Sequence, residues 1–336
     1  MTIHRSILDS MARLYDLPPL ELKPVAGGHA SHVYEYRDGP RRQILKIMPP
    51  NPEIDLHAMR SMFEWMAFLA AHGGPVARPI RSRHGNLIEE LEHKGQSYLI
   101  TAYEKAPGVL AEKMSFADWN DEIFQLLGRS VGHCHRVAQE YVPALEEYRR
   151  PEWDCEDNCF NPLRDLVDAD RIILEQRAKV LDVIRALPKD PEGYGLAHLD
   201  LHFGNFFVDA ERQKIVLLDF EDCAYGWYIM DIAMLLFDVL VVYDRPDRGQ
   251  FAERFLLNLL IGYSSQKLID PFWIDQLPGF LKLLEIGVYA MIYRTYEPAT
   301  AGEWGRKFMS ERRERIEQNV PYVDLDFQAL YNRAIS

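Results

Sequence analysis

Apolar positions change period along the chain, and the change divides it in two. Ile7, Leu8, Met11, Leu14 and Tyr15 recur at helical spacing, which predicts an amphipathic opening helix. From there to about residue 105 the pattern is mostly two-fold, and the stretches 22–25, 32–36, 43–48, 77–80, 87–91 and 97–103 read as strands. A helix over about 52–72 interrupts them, with Met59, Phe63, Met66 and Leu69 on its core face. Turn residues at His84-Gly85-Asn86 and His93-Lys94-Gly95 separate the later strands. A five-stranded antiparallel sheet with one helix is the expected outcome.

Beyond Ala106-Pro107-Gly108 the spacing becomes helical. Ser115 is read as the cap of a helix carrying Trp119, Ile123, Leu126, Leu127, Val131 and Cys134 and ending near 138. His133 and His135 in its last turn are assigned to ordinary helix-end electrostatics. An irregular stretch over 143–162 leads into a helix over 163–187. Further helices are expected over 232–243, 251–263, 271–296, 303–318 and 327–334. The whole is an α+β chain, divided at residues 1–105 and 106–336.

Composition narrows the class. With 336 residues there is room for two cores, and a formal charge of −13 argues against a general nucleic-acid surface, which needs clustered Lys and Arg. The N-terminus lacks the apolar core of a secretory signal, and the most apolar stretch, 229–243, is interrupted by Asp231 and Asp238. A cytoplasmic enzyme without a membrane span is expected. Four cysteines are too few for a disulfide framework in a chain of this length.

The chemistry is concentrated in His198-Leu199-Asp200-Leu201-His202-Phe203-Gly204-Asn205, followed by Leu217-Leu218-Asp219-Phe220-Glu221. One carboxylate suited to orienting a hydroxyl, an Asn five residues on and a second Asp ending an apolar strand supply what Mg²⁺-assisted phosphoryl transfer needs. A hairpin with its turn at 209–213 is expected to bring Asn205 and Asp219 to one end. Upstream, Gly27-Gly28-His29-Ala30-Ser31 lies between two strands, where a side-chain-poor loop lets backbone N–H groups approach phosphates. Lys46 stands alone in an apolar strand and needs an anionic partner.

The string His198-x-Asp200-x-x-x-x-Asn205, with Asp219-x-Glu221-x-x-x-x-Gly226-x-x-x-x-Asp231-Ile232-Ala233, resembles the aminoglycoside phosphotransferase and choline kinase-like family. The resemblance implies a two-lobed protein kinase-like fold with a small β-sheet N-lobe and a mainly helical C-lobe, and ATP and Mg²⁺ as cofactors. It implies that Asp200 is the catalytic base, with His198 bracing its loop. Asn205 and Asp219 are the implied metal ligands, and Asp231 is the buried anchor. Lys46 would meet the ATP phosphates and pair with Glu64, with Glu53 and Asp55 as rivals. Gly27, Gly28 and Ser31 would cover the phosphates, and backbone groups at Ala102 and Tyr103 would meet the adenine edge. Leu199 departs from the pattern, since Gly is common there. The implied reaction is phosphorylation of a hydroxyl on a small molecule. Aminoglycoside, choline, sugar, homoserine-like and protein acceptors stay open, as does the oligomeric state. A non-catalytic nucleotide-binding protein is the competing class, against which stand the retained Asp200, Asn205, Asp219 and Lys46.

Overall fold

The computed structural model describes residues 3–17, 22–25, 31–39, 41–51, 55–155, 171–243, 245–295 and 302–336. The chain forms two compact units: Met1–Val109 with Tyr141–Arg149 and Phe207–Glu221, and Leu110–Glu140 with Arg150–Phe206 and Asp222–Ser336. The N-terminal unit therefore recruits two later segments in addition to the expected residues 1–105.

In that unit α1 (Arg5–Leu14) precedes β1 (Lys23–Val25), β2 (His32–Asp38), β3 (Arg41–Met48), α2 (Leu56–Ala71), β4 (Ile88–His93) and β5 (Gln96–Glu104). The five strands make one antiparallel sheet in the order β1-β2-β3-β5-β4. Strand alternation then assigns the faces. Tyr36, Leu45, Ile47, Ile100 and Ala102 bury against Ile7, Met11 and Ala12 of α1. Lys46 and Tyr103 occupy the opposite face with Phe63 of α2, whose ring centroid lies 5.3 Å from that of Tyr103. Asp55 caps α2 by accepting from the N–H groups of His57 and Ala58 at 2.8 and 3.1 Å.

The strand expected at 77–80 is instead a pair of single bridges, Val76 to Leu217 and Pro79 to Tyr103. Pro75 and Pro79 lack the N–H that a continuous ladder requires. These bridges nevertheless tie the end of β5 to the later hairpin within one unit.

The chain crosses between units near β6 (Val109–Leu110). The C-terminal unit then begins with α3 (Asp121–Ala138), capped by Asn120 and not by Ser115, because Asn120 accepts from the Ile123 N–H at 3.0 Å. Trp119 lies ahead of the helix, buried and stacked on Phe203 at 4.6 Å. Next in the chain come α4 (Arg171–Arg185) and β7 (Tyr194–Ala197), then β8 (Phe206–Asp209) and β9 (Lys214–Leu217), which lie almost wholly in the segment belonging to the N-terminal unit, and then β10 (Ala224–Trp227), again in the C-terminal unit. The hairpin of β8 and β9 is as expected, in a sheet ordered β6-β8-β9. The β7–β10 pair was not, since Gly195 and Gly226, which face each other across it, weaken any strand pattern.

Six helices and a short one-turn helix complete the unit: α5 (Tyr228–Val242), α6 (Arg248–Ser264), α7 (Pro271–Ile274), α8 (Leu277–Thr295), α9 (Glu303–Met309), α10 (Arg312–Glu317) and α11 (Phe327–Ile335). The single helix expected over 271–296 divides into α7 and α8. That over 303–318 breaks at Glu311, which adopts φ 62°. No helix among the described residues is long and apolar enough to cross a membrane.

Helices α3 and α6 meet along glycines. A Cβ on Gly128 would lie 2.0 Å from the Leu259 carbonyl oxygen, and one on Gly262 would lie 1.9 Å from that of Gln125. Gly262→Ala is therefore expected to destabilise the fold by about 1–3 kcal/mol, the usual cost of overpacking. Gly249→Ala in the same helix meets no atom within 4 Å and should gain about 0.5–1 kcal/mol in helix propensity. Thermal melts of the two variants that moved together, or in the reverse order, would contradict the close approach.

Candidate active site

The loop after β7 is shaped by carboxylates from α5. Asp231, in the first turn of α5 and 1% exposed, accepts from the N–H of His198 at 2.9 Å and of Leu199 at 2.7 Å. Asp238, seven residues on and so on the same helix face, accepts from the Phe203 N–H at 2.7 Å. Both ends of the loop are thus pinned to one helix. Burial pushes the Asp231 carboxyl up, but its hydrogen bonds from the His135 ring and the His198 N–H, with both imidazoles close by, outweigh this and hold it below the ordinary range. At Asp238 burial dominates, with Asp200 and Glu112 adding to it, and its pKa is raised.

Leu199 has φ 61°, a left-handed conformation that costs a side-chain-bearing residue about 1–2 kcal/mol. This is the position where Gly is common in the resembling family. Here the strain is offset by the two Asp231 bonds and by full burial of the Leu side chain, whose methyls pack beside Gly226.

Within this frame Asp200 is partly exposed. The Asn205 side-chain amide donates to the Asp200 carbonyl at 2.9 Å and to its carboxylate at 2.8 Å. Both acceptors lack protons, so the amide nitrogen must face Asp200 and Asn205 Oδ1 is left as a hard oxygen donor. His198 is buried and accepts the Asp200 N–H on Nδ1 at 3.3 Å, a bracing contact. His202, which the motif did not single out, lies 3.6 Å from the Asp200 carboxylate through Nε2. Its Nδ1 accepts from the Gly204 N–H at 3.0 Å.

In the N-terminal unit, Asp219 follows β9 with φ 58°, a conformation that Asp tolerates better than most residues. Its carboxylate and that of Glu221 lie near Tyr103: desolvation above all, with these two charges adding to it against the opposing effect of the Thr101 side chain, raises the Tyr103 hydroxyl and keeps it neutral. Lys46 Nζ sits 5.8 Å from the centroid of the same ring. Tyr103 therefore joins the strand of Lys46 to the segment of Asp219. Among the described residues neither the Lys46 ammonium nor the Asp219 carboxylate has a hydrogen bond or ion pair. An ammonium and a hard carboxylate of this kind fit a polyphosphate and its metal.

Glu64 departs from the expected pairing with Lys46. Its carboxylate accepts from the Tyr141 hydroxyl and from the Ala144 N–H, both at 3.0 Å. The reason is helix phase: Phe63 faces Tyr103, which turns Glu64 toward the segment after α3, where Tyr141 packs on Trp65 at 4.7 Å and on Phe68 at 5.1 Å. Of its rivals, Asp55 is spent on capping and Glu53 lies outside the described residues. Ala102 and Tyr103 are also committed to the sheet. The Ala102 carbonyl accepts from Ile80 at 2.8 Å and Tyr103 registers opposite Ile44, so the unladdered backbone begins after Lys105. Ser31 immediately precedes β2, while Gly27 and Gly28 lie outside the described residues.

His135, read from sequence as a helix-end residue, is 2% exposed and reaches Asp231 through Nε2 at 2.9 Å. Its neighbours along the chain signal nothing of this, because the partner is 96 residues away.

A buried Asp pinning a strained loop that presents a carboxylate and a paired Asn is what a kinase-like phosphotransferase requires of its catalytic loop. The chain belongs to the phosphotransferase enzyme family, which it matches over residues 21–268. It is an ATP-dependent kinase with an alcohol group as acceptor and a divalent metal as cofactor. It is 35% identical to the amicoumacin kinase of Bacillus subtilis (strain 168) over 306 residues, which covers 89% of this chain and 88% of that one. The solved structure of amicoumacin kinase hAmiN, bound to AMP-PNP, Ca²⁺ and Ami, superposes with a TM-score of 0.85 at 29% identity, covering 98% and 97% of the two chains. A microcompartment-associated aminopropanol kinase shares the fold at a TM-score of 0.70 and 20% identity over 94% of this chain and 98% of its own.

Asp200→Asn keeps the size of the side chain and removes the proton acceptor, so turnover is expected to fall about 10²–10⁴-fold with Mg-ATP binding retained. ADP release, read beside a nucleotide-induced thermal shift, checks this. Glu64→Ala should loosen the 141–144 contact by about 1–3 kcal/mol while leaving the KM for ATP nearly unchanged. A large rise in that KM would restore Glu64 to the nucleotide site.

Proposed function

We propose that this protein is an ATP- and Mg²⁺-dependent kinase that phosphorylates a hydroxyl of amicoumacin or a close chemical relative. The observation that carries the reading is the extent of the likeness to amicoumacin kinases. It runs through 89% of the chain, well beyond residue 268, where the family match ends. Helices that follow Asp231, to which we assign the choice of acceptor, are therefore included.

In this reading Asp200 accepts the acceptor's hydroxyl proton and orients its oxygen. Asn205 Oδ1 and the Asp219 carboxylate are the protein ligands of Mg²⁺, which neutralises phosphate charge when bound. Lys46 meets the phosphates as a point charge, and Gly27, Gly28 and Ser31 are assigned to contact them as well. The adenine base meets backbone just beyond the end of β5, past Ala102 and Tyr103, where the chain leaves the ladder after Lys105. Dependence on ATP agrees with residence in the cytoplasm, and the charge of −13 disfavours nucleic acid as a partner.

ADP release should be followed with Mg-ATP and amicoumacin, spectinomycin, kanamycin, aminopropanol and choline as acceptors. Amicoumacin is expected to exceed the others in kcat/KM by at least about tenfold, a margin that a few placed contacts supply. Preferential turnover of another acceptor in that panel would replace the acceptor assignment and leave the phosphotransferase intact.

A further inference from the structure

We propose that Tyr263 and His135, brought together by the glycine contact between α3 and α6, act as positioning residues that hold the catalytic loop in its working shape. The proposal rests on the reading of Asp200 as the catalytic base.

The Asp231 carboxylate can only accept, so His135 Nε2, 2.9 Å from it, carries a proton. In the neutral ring Nδ1 is then an acceptor, and the Tyr263 hydroxyl, 2.9 Å away, donates to it. Burial raises the Tyr263 pKa well above its ordinary value, so this hydroxyl keeps its proton and its donor role. Tyr228 stacks on the His135 ring at 4.5 Å with an interplanar angle of 21°. Both ring nitrogens and one face are therefore fixed.

The bonds converge on Asp231. Asp231 Oδ2 receives both His135 Nε2 and the His198 N–H, while Oδ1 receives the N–H of strained Leu199. A proton on His135 Nδ1 in place of Nε2 would leave Asp231 short of a donor and free to rotate away from Oδ1's contact. Leu199 would then lose what offsets its left-handed backbone, and Asp200 is the next residue. The seam explains how Tyr263 comes within reach. A Cβ on Gly132 would sit 2.8 Å from the Tyr263 carbonyl oxygen, and Gly128 and Gly262 are tighter still, so only glycines allow α6 this close to α3.

The test compares Tyr263→Phe, His135→Gln, His135→Leu and Asp200→Asn by steady-state kinetics with the acceptor that the panel turns over fastest, and by thermal shift with AMP-PNP. His135→Leu should lower kcat about 10- to 100-fold, as small misplacements of a reacting group do, with the KM for ATP within about twofold. Tyr263→Phe should lower kcat by about fivefold, the equivalent of one hydrogen bond. His135→Gln keeps an N–H to donate and should recover part of the loss. AMP-PNP should stabilise all four variants as it does the parent. Unchanged kcat in Tyr263→Phe and His135→Gln, with lowered melting temperatures, would make these residues core packing and overturn the proposal, whether or not His135→Leu folds. Full turnover in Asp200→Asn would overturn the catalytic reading and this proposal with it.

Discussion

A carboxylate with no access to water organises the C-terminal unit. Isolating an ionised Asp in a protein interior is costly unless donors surround it. Asp231 meets that demand with two consecutive backbone N–H groups and one imidazole N–H. The donors are drawn from the catalytic loop and α3, so satisfying the charge draws loop, α3 and α5 to one point. The same bonds hold Leu199 in a conformation that a free chain would leave. Asp238 repeats the arrangement at the other end of the loop, two helical turns along α5.

The N-terminal unit solves a different problem, that of keeping an ammonium in β3 and a carboxylate just after β9 available to a ligand. Tyr103 supplies the surface for it. Its ring lies near Lys46 and packs on Phe63, and its backbone bridges to Pro79. Through Val76 and Leu217 the same stretch reaches the hairpin that ends at Asp219. A segment more than 100 residues downstream in sequence thereby becomes part of the N-terminal unit. Glu64 is held elsewhere by Tyr141 and Ala144, so among the described residues Lys46 is positioned by its strand and not by a carboxylate.

Helix ends and breaks were the least legible part of the fold. Asn120 in place of Ser115 as a cap turns on one side-chain hydrogen bond, and the break at Glu311 on a single φ angle. Periodicity does not carry that information. The strand at 77–80 failed for a reason that was visible, the prolines at 75 and 79, but only the partners Leu217 and Tyr103 show that the stretch works as a link and not as a strand.

The sequence alone determined the local chemistry. The spacing of Asp200, Asn205 and Asp219 around a hairpin, the lone Lys46 in β3 and the alternation of the sheet are short-range patterns, set by strand period and turn residues within a few positions of each other. The tertiary structure decided what depends on distant partners. Which side of α2 carries Glu64, that Asn205 turns its amide nitrogen to Asp200, and that His135 and Tyr263 lie beneath Asp231 follow from helix phase and close approach of α3 and α6. Those are properties of packing, since a hydrogen bond between residues 96 or 128 positions apart leaves no trace in the local order of side chains.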